Sequence, residues 1–220
     1  MKEPNRERKG EIKYNVSLNE EQKLAKSLIL ESEISIITGV AGTGKTLCAV
    51  QTAIDCLQKK MCDRIILTRS LVEVDNNTMG FLPGTAQEKL NPYLEAMMDN
   101  FEKCISREKI DNFIKSGQIK AGPLGFLRGK TISDTEICIL DESQNTTPKE
   151  MEALLTRIGR GGKIIITGDP AQRDTKNGGI TGLDLAINLS KAIPEIKHIK
   201  LKENHRSDIV GKILNFIYGR

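Results

Sequence analysis

Short, β-branched apolar runs alternate along the chain with segments whose apolar residues recur at helical spacing. The runs Ile34 to Thr38, Arg64 to Thr68, Ile137 to Leu140, Lys163 to Thr167 and Ile196 to Leu201 read as buried strands. Between them, Leu47, Val50, Ala53, Ile54 and Leu57 mark one helix, Ile110, Phe113 and Ile114 a shorter one, and Leu183, Leu185, Ile187 and Leu189 a later one. Strands alternating with helices predict a parallel sheet covered on both faces. Ahead of the first strand, Leu24, Ala25, Leu28 and Ile29 form a stripe on a helix that is capped either by Ser17 with Glu20 or by Asn19 one residue set later. Thr147 and Glu150, with Pro148 at the first position, cap a helix that carries Met151, Leu154, Leu155 and Ile158 inward and stops at Gly159, Gly161 and Gly162. Leu90, Leu94, Met97, Met98 and Phe101 predict a helix after Pro83-Gly84, and Ile209, Val210, Ile213, Leu214 and Ile217 a last one. Gly122 to Lys130 reads as an exposed glycine-punctuated loop, and Met1 to Val16 as a flexible charged arm preceding an ordered domain over 17–220.

The first strand runs straight into Gly39-Val40-Ala41-Gly42-Thr43-Gly44-Lys45-Thr46, which fits G-x-x-x-x-G-K-[ST] at every fixed position. Gly39, Gly42 and Gly44 allow positive φ and close backbone approach, so that amide N–H groups from Gly39 through Leu47 can meet phosphate oxygens at a helix start. Lys45 supplies a charge for the β and γ phosphates, and Thr46 a hydroxyl for magnesium. A strand before the loop and an amphipathic helix after it are the context this phosphate loop requires.

Composition narrows the partners only a little. Thirty-three basic against 29 acidic residues give +4, too mild to demand nucleic acid, although Lys197 to Arg220 is the more basic end. Trp is absent and aromatics are 4%, which argues against a row of stacked bases. Five cysteines form no C-x-x-C pair, a pattern that suits a reducing compartment. No apolar run approaches the roughly eighteen residues of a membrane span. The expectation is a soluble, cytoplasmic chain with no membrane partner, its length matching one α/β domain.

Ligands of parallel sheets gather at the carboxyl ends of strands, where polar clusters should converge. Asp141 fits an acid that holds magnesium with Thr46, and Glu142 a general base for an attacking water. Gln172 reads either as a hydrogen-bonding sensor of the γ-phosphate or as a turn amide after Pro170. Arg206 reads as a cation for the charge that develops in transfer or as a surface arginine at a helix start. Gln22 serves adenine through its two-sided amide or acts as a capping partner in its own helix.

Together with these residues, Ile66-Leu67-Thr68-Arg69, Gly80-Phe81-Leu82-Pro83-Gly84, Asn91-Pro92-Tyr93-Leu94, Leu127-Arg128-Gly129-Lys130-Thr131, Ile139 to Thr147, Leu155 to Gly159 and Thr167-Gly168-Asp169 make the chain resemble the PhoH family from about Leu18 to Gly219. The resemblance implies an α/β RecA-like P-loop fold related to superfamily-one helicases, ATP hydrolysis, action on RNA or single-stranded DNA, and assembly into a hexameric ring with shared sites. By the same resemblance Gln22 is the adenine-reading glutamine, Gln172 the γ-phosphate sensor, and Arg206 the arginine of an Asn-Tyr-Arg-Ser motif. The chain departs from the family pattern at Ser70, Ser143, His205 and Glu73 to Thr78. Thr68, Arg69, Arg128 and Lys130 are the candidate nucleic-acid contacts, against the reading of a solvated loop. Arg157 is either an arginine finger for a neighbouring subunit or a cation at the end of its own helix. A nucleotide-dependent module that switches a protein partner is the alternative function. A small-molecule kinase fits less well, because Glu142 and Gln172 suit water as the acceptor.

Overall fold

In a computed structural model, the structure describes residues 14, 16–69, 95, 97–127, 129–173, 179–205, 209, 212, 213 and 216. The elements in chain order are α1 (Glu20–Glu31), β1 (Ile34–Gly39), α2 (Lys45–Gln58), β2 (Arg64–Arg69), α3 (Arg107–Lys115), β3 (Ile119–Pro123), β4 (Glu136–Asp141), α4 (Pro148–Leu155), β5 (Lys163–Gly168), α5 (Gly182–Ala192) and β6 (Ile196–Leu201). A helical segment over 97–102 precedes α3, and 3₁₀ turns occupy Leu124–Leu127 and Ser143–Asn145.

All strand pairs are parallel, in the order β3-β2-β4-β5-β1-β6. Successive side chains of a strand point to opposite faces, and here both faces are apolar. Ile37, Ile65, Leu67, Ile137, Ile139 and Ile165 pack with α1, α2 and the 97–102 segment. Ile36, Cys138, Leu140, Ile164 and Ile166 pack on the other face with α4 and α5. Such double burial is why the strands read as unbroken apolar runs. Truncating a wholly buried residue such as Ile139 to alanine should cost about 2–5 kcal/mol. The five cysteines are free and buried, and burial pushes the Cys138 thiol up to about 12. Among the described residues no helix is long and apolar enough to cross a membrane.

Several expectations are corrected. The capping box of α1 joins Asn19 to Gln22, not Ser17 to Glu20, because the chain enters the helix at Glu20. Leu24 is 61% exposed, and the inward stripe is Gln22, Ala25 and Ile29. Gly122 to Lys130 is not simply an exposed loop: its first residues finish edge strand β3, and Leu124 and Leu127 are buried. Helix α4 ends at Leu155, before the glycines, and Ile158 instead pairs with Ile132 in an isolated bridge. Order also begins earlier than Ser17, since Tyr14 and Val16 pack against the core and the Tyr14 hydroxyl donates to Asp55. Ile209 and Ile213 are helical but exposed, so the last helix does not bury them. Leu90, Leu94, Val210, Leu214 and Ile217 lie outside the described residues.

Candidate nucleotide site

The carboxyl ends of β1, β4 and β5 open into a cleft of about 650 Å³. At its floor, Gly39, Gly42 and Gly44 take φ of 155°, 90° and 79°. Gly44 is the N-cap of α2 and offers no side chain, so the first-turn N–H groups of that helix are left for a ligand. Lys45 Nζ donates to Gly39 O at 2.8 Å and Val40 O at 3.1 Å, which holds the ammonium over the loop. Val40, Ala41 and Thr43 complete the turn, where the Thr43 hydroxyl donates to Val40 O at 2.9 Å. Leu47 lies one turn into the helix and lines the same cleft.

Two strands away, Asp141 ends β4. The Thr46 hydroxyl donates to its Oδ1 at 2.9 Å, and the Thr167 hydroxyl of β5 donates to the same oxygen. A hydroxyl and a carboxylate in contact are hard oxygen ligands, the set that magnesium takes along with phosphates and water. No cluster of three His, Cys, Asp or Glu ligands exists among the described residues. Glu142 follows with φ 52° and ψ 42°, a left-handed turn uncommon for a residue with a side chain. Its carboxylate accepts from Gln144 Nε2 at 2.6 Å. Gln144 is 2% exposed, and its Oε1 accepts the Asp169 N–H at 3.1 Å. Asp169 in turn accepts from Gln172 Nε2 at 2.9 Å. Glu142 and Gln172 are thus joined through two buried side chains.

The loop is also held by side chains and backbone outside it. Gln22 Nε2 donates to Thr43 O at 3.0 Å while its Oε1 accepts the Asn19 N–H at 3.0 Å. Gln22 is 3% exposed, uses one N–H to hold the loop and one oxygen lone pair in the α1 cap, and also lines the cleft. His205 N–H donates to Gly42 O at 3.1 Å.

The candidate nucleic-acid contacts separate. Thr68 and Lys130 line a second groove of about 910 Å³ along β2 and β3, whereas Arg69 lines the nucleotide cleft. Thr68 is 1% exposed, and its hydroxyl has no hydrogen-bond partner among the described residues. Arg157 lies just past α4 and is not among the residues that line the cleft. Arg128 and Arg206 lie outside the described residues, as do Ser70 and the Gly80 and Asn91 motifs. The sequence assigns no site role to Asn19, Gln144, Thr167 or Asp169, although the last three fall within the motif stretches that carry the family resemblance and Asn19 is a cap candidate.

The profile of the PhoH family, described as PhoH-like protein, matches residues 16–218. The chain belongs to the PhoH family. A PhoH-like protein of Synechocystis is 37% identical over 196 residues, covering 89% of this chain and 58% of the relative. One from Bacillus subtilis is 41% identical over 178 residues, covering 80% and 55%. This PhoH-family chain therefore spans little more than half the length of those relatives. The Pif1 helicase from Candida albicans superposes with a TM-score of 0.50 at 19% identity, covering 92% of this chain and 44% of that one. The likeness is one of fold, and the PhoH-family chain has a RecA-like architecture with an all-parallel sheet flanked by helices.

Proposed function

We propose that this PhoH-family chain is a magnesium-dependent ATPase that hydrolyses ATP to ADP and phosphate, working on RNA or single-stranded DNA as an oligomer, a hexameric ring. The observation that carries the reading is the Thr46–Asp141 hydrogen bond beside Glu142, which sets two hard oxygen ligands and a carboxylate base against one phosphate loop. Magnesium bound there by Thr46 and Asp141 would neutralise charge on the β and γ phosphate oxygens. The loop amides and Lys45 orient the triphosphate. Glu142 takes a proton from water as the water oxygen bonds to the γ-phosphorus and the bond to the β–γ bridging oxygen breaks. Gln172, tethered by Asp169, is within the same cleft to bond the γ-phosphate or the water. Arg206 and, from a neighbouring copy, Arg157 are the candidate cations for the developing charge. The polymer reading draws on the family resemblance and on the groove where Lys120 and Lys130 flank Thr68.

Hydrolysis measured with and without single-stranded RNA and DNA, at two salt concentrations, tests it. Polymer-stimulated hydrolysis that weakens with salt is expected. Glu142→Gln should lower turnover by a factor of about 10² to 10⁴ while leaving nucleotide binding intact. Lys45→Ala should remove phosphate binding. Full turnover in Glu142→Gln, or unchanged nucleotide titration in Lys45→Ala, would overturn the assignment. Nucleotide-gated capture of a protein with no polymer stimulation would favour the switching module instead.

A further inference from the structure

Asn19 sits where three segments of the chain meet. Its Oδ1 accepts the Gln22 N–H at 2.8 Å, which fixes the orientation of the carboxamide. Its Nδ2 therefore faces the segment after β6, where it donates to Glu203 Oε2 at 2.8 Å and lies 3.0 Å from His205 Nε2. An amide nitrogen has no lone pair to offer, so His205 Nε2 is the acceptor. A second tether runs alongside: Glu21 Oε2 accepts the N–H groups of Lys202 at 2.8 Å and Glu203 at 3.2 Å. Those backbone bonds hold the Glu21 carboxyl below its usual range.

The contacts close a ring. Asn19 binds Gln22 and His205, Gln22 binds Thr43 O, and His205 N–H binds Gly42 O. Two consecutive carbonyls of the phosphate loop are therefore held by Gln22 and His205, both of which also line the cleft. In a trans peptide the carbonyl and the following N–H point in opposite directions. Holding Thr43 O on Gln22 thus fixes the direction of the Gly44 N–H.

We infer that Asn19 is a positioning residue for the nucleotide site, coupling the segment 202–205 to the phosphate loop through Gln22 and His205. The inference rests on the nucleotide reading of the site for its functional effect, but not for its structural one. Asp and Ser cap helices about as well as Asn. Both substitutions therefore keep the α1 cap; Asn19→Asp removes both N–H donors, and Asn19→Ser replaces them with a single hydroxyl on a shorter side chain. The Glu21 tether persists in either variant, so the loss is partial.

The test compares the full chain with Asn19→Asp, Asn19→Ser and Asn19→Asp/Glu203→Gln. In nucleotide-free protein, hydrogen exchange at the amides of residues 202–205 should speed up about tenfold, equivalent to about 1.4 kcal/mol, with melting temperature little changed. ATP dissociation constants should rise by a similar factor. Glu203→Gln should restore much of the loss in the Asp variant by donating to the new carboxylate. Unchanged exchange at 202–205, or affinity loss matched by a fall in melting temperature, overturns the inference. If the parent binds no ATP, the nucleotide reading fails while the exchange measurement still decides this one.

Discussion

Gln144 donates its carboxamide N–H to the Glu142 carboxylate at 2.6 Å from a position that is 2% exposed. Because its oxygen is held by the Asp169 N–H, the amide cannot rotate away, and Glu142 is fixed in its left-handed turn at the end of β4. A hydrogen bond to a charged group is worth about 1.5–3 kcal/mol, so Gln144→Ala should lower turnover about tenfold or more while ATP affinity changes little. Steady-state hydrolysis alongside nucleotide titration checks this. Equal losses in both would mean that Gln144 merely supports the fold of the cleft.

Asp141 accepts hydroxyl hydrogens from Thr46 and Thr167 on one oxygen. Asp141→Asn preserves shape and one acceptor oxygen but removes the charge a divalent cation needs. ATP binding in magnesium should then fall to the level the parent shows in EDTA, with binding in EDTA unchanged or slightly tighter. Titrations in the two buffers give the answer. Magnesium dependence that survives the substitution would take Asp141 out of the metal site.

Gly44 has φ 79°, and a Cβ there would stand 2.4 Å from Gln22 Nε2. Gly44→Ala should destabilise the chain through backbone strain of about 1–2 kcal/mol plus displacement of the Gln22 amide from Thr43 O. In the Gln22→Ala background the clash is gone and only the strain remains. A double-mutant cycle by denaturant unfolding should therefore show the second substitution costing less when the first is present. Additive costs would show that Gln22 does not pack on the loop as described.

The elements legible in the sequence are those whose cause is local. β1, β4 and β5 are buried on both faces and read as continuous apolar runs, and the glycine-rich turn has a fixed spacing. β3 was missed because Ile119–Pro123 is an edge strand with a Gly-Pro end, recognisable only by its pairing with β2. The α1 cap was open between Ser17 and Asn19 because both are capping residue types, and the bond from Asn19 to Glu203, 184 residues away, has no local trace. Asp141 and Glu142 announced themselves as acids after an apolar strand. Thr167 and Gln144 lie in motif stretches, but threonine is ordinary in a strand and glutamine in a turn, so only the fold shows that they reach the carboxylates.

The two histidines, His198 and His205, allow the imidazoles to be followed separately in solution. His198 Nε2 lies 2.8 Å from Thr38 Oγ1 on the neighbouring strand. Partial desolvation of the ring where it packs against the sheet edge lowers its pKa from the ordinary 6.5, and Lys191 and Lys200 lower it further, although much of the residue stays open to solvent. The native state therefore takes up this proton at lower pH than the unfolded chain does. As pH falls below about 6.5 the unfolded state binds more protons, so stability contributed by neutral His198 is present above that value and is lost toward the lower native midpoint. The residue is exposed at the edge of the sheet, and solvent screening keeps the effect under about 1 kcal/mol. An NMR titration should place the His198 midpoint below 6.5 and raise it in Lys191→Ala and Lys200→Ala, with His198→Gln assigning the signal. The difference in unfolding free energy between the parent and His198→Gln should shift against the parent on going from pH 7.5 to pH 5.5, values chosen to bracket the ordinary imidazole range of about 6.5. A midpoint above 6.5, or a difference of the opposite sign, would mean that protonated His198 finds a favourable partner in the native state.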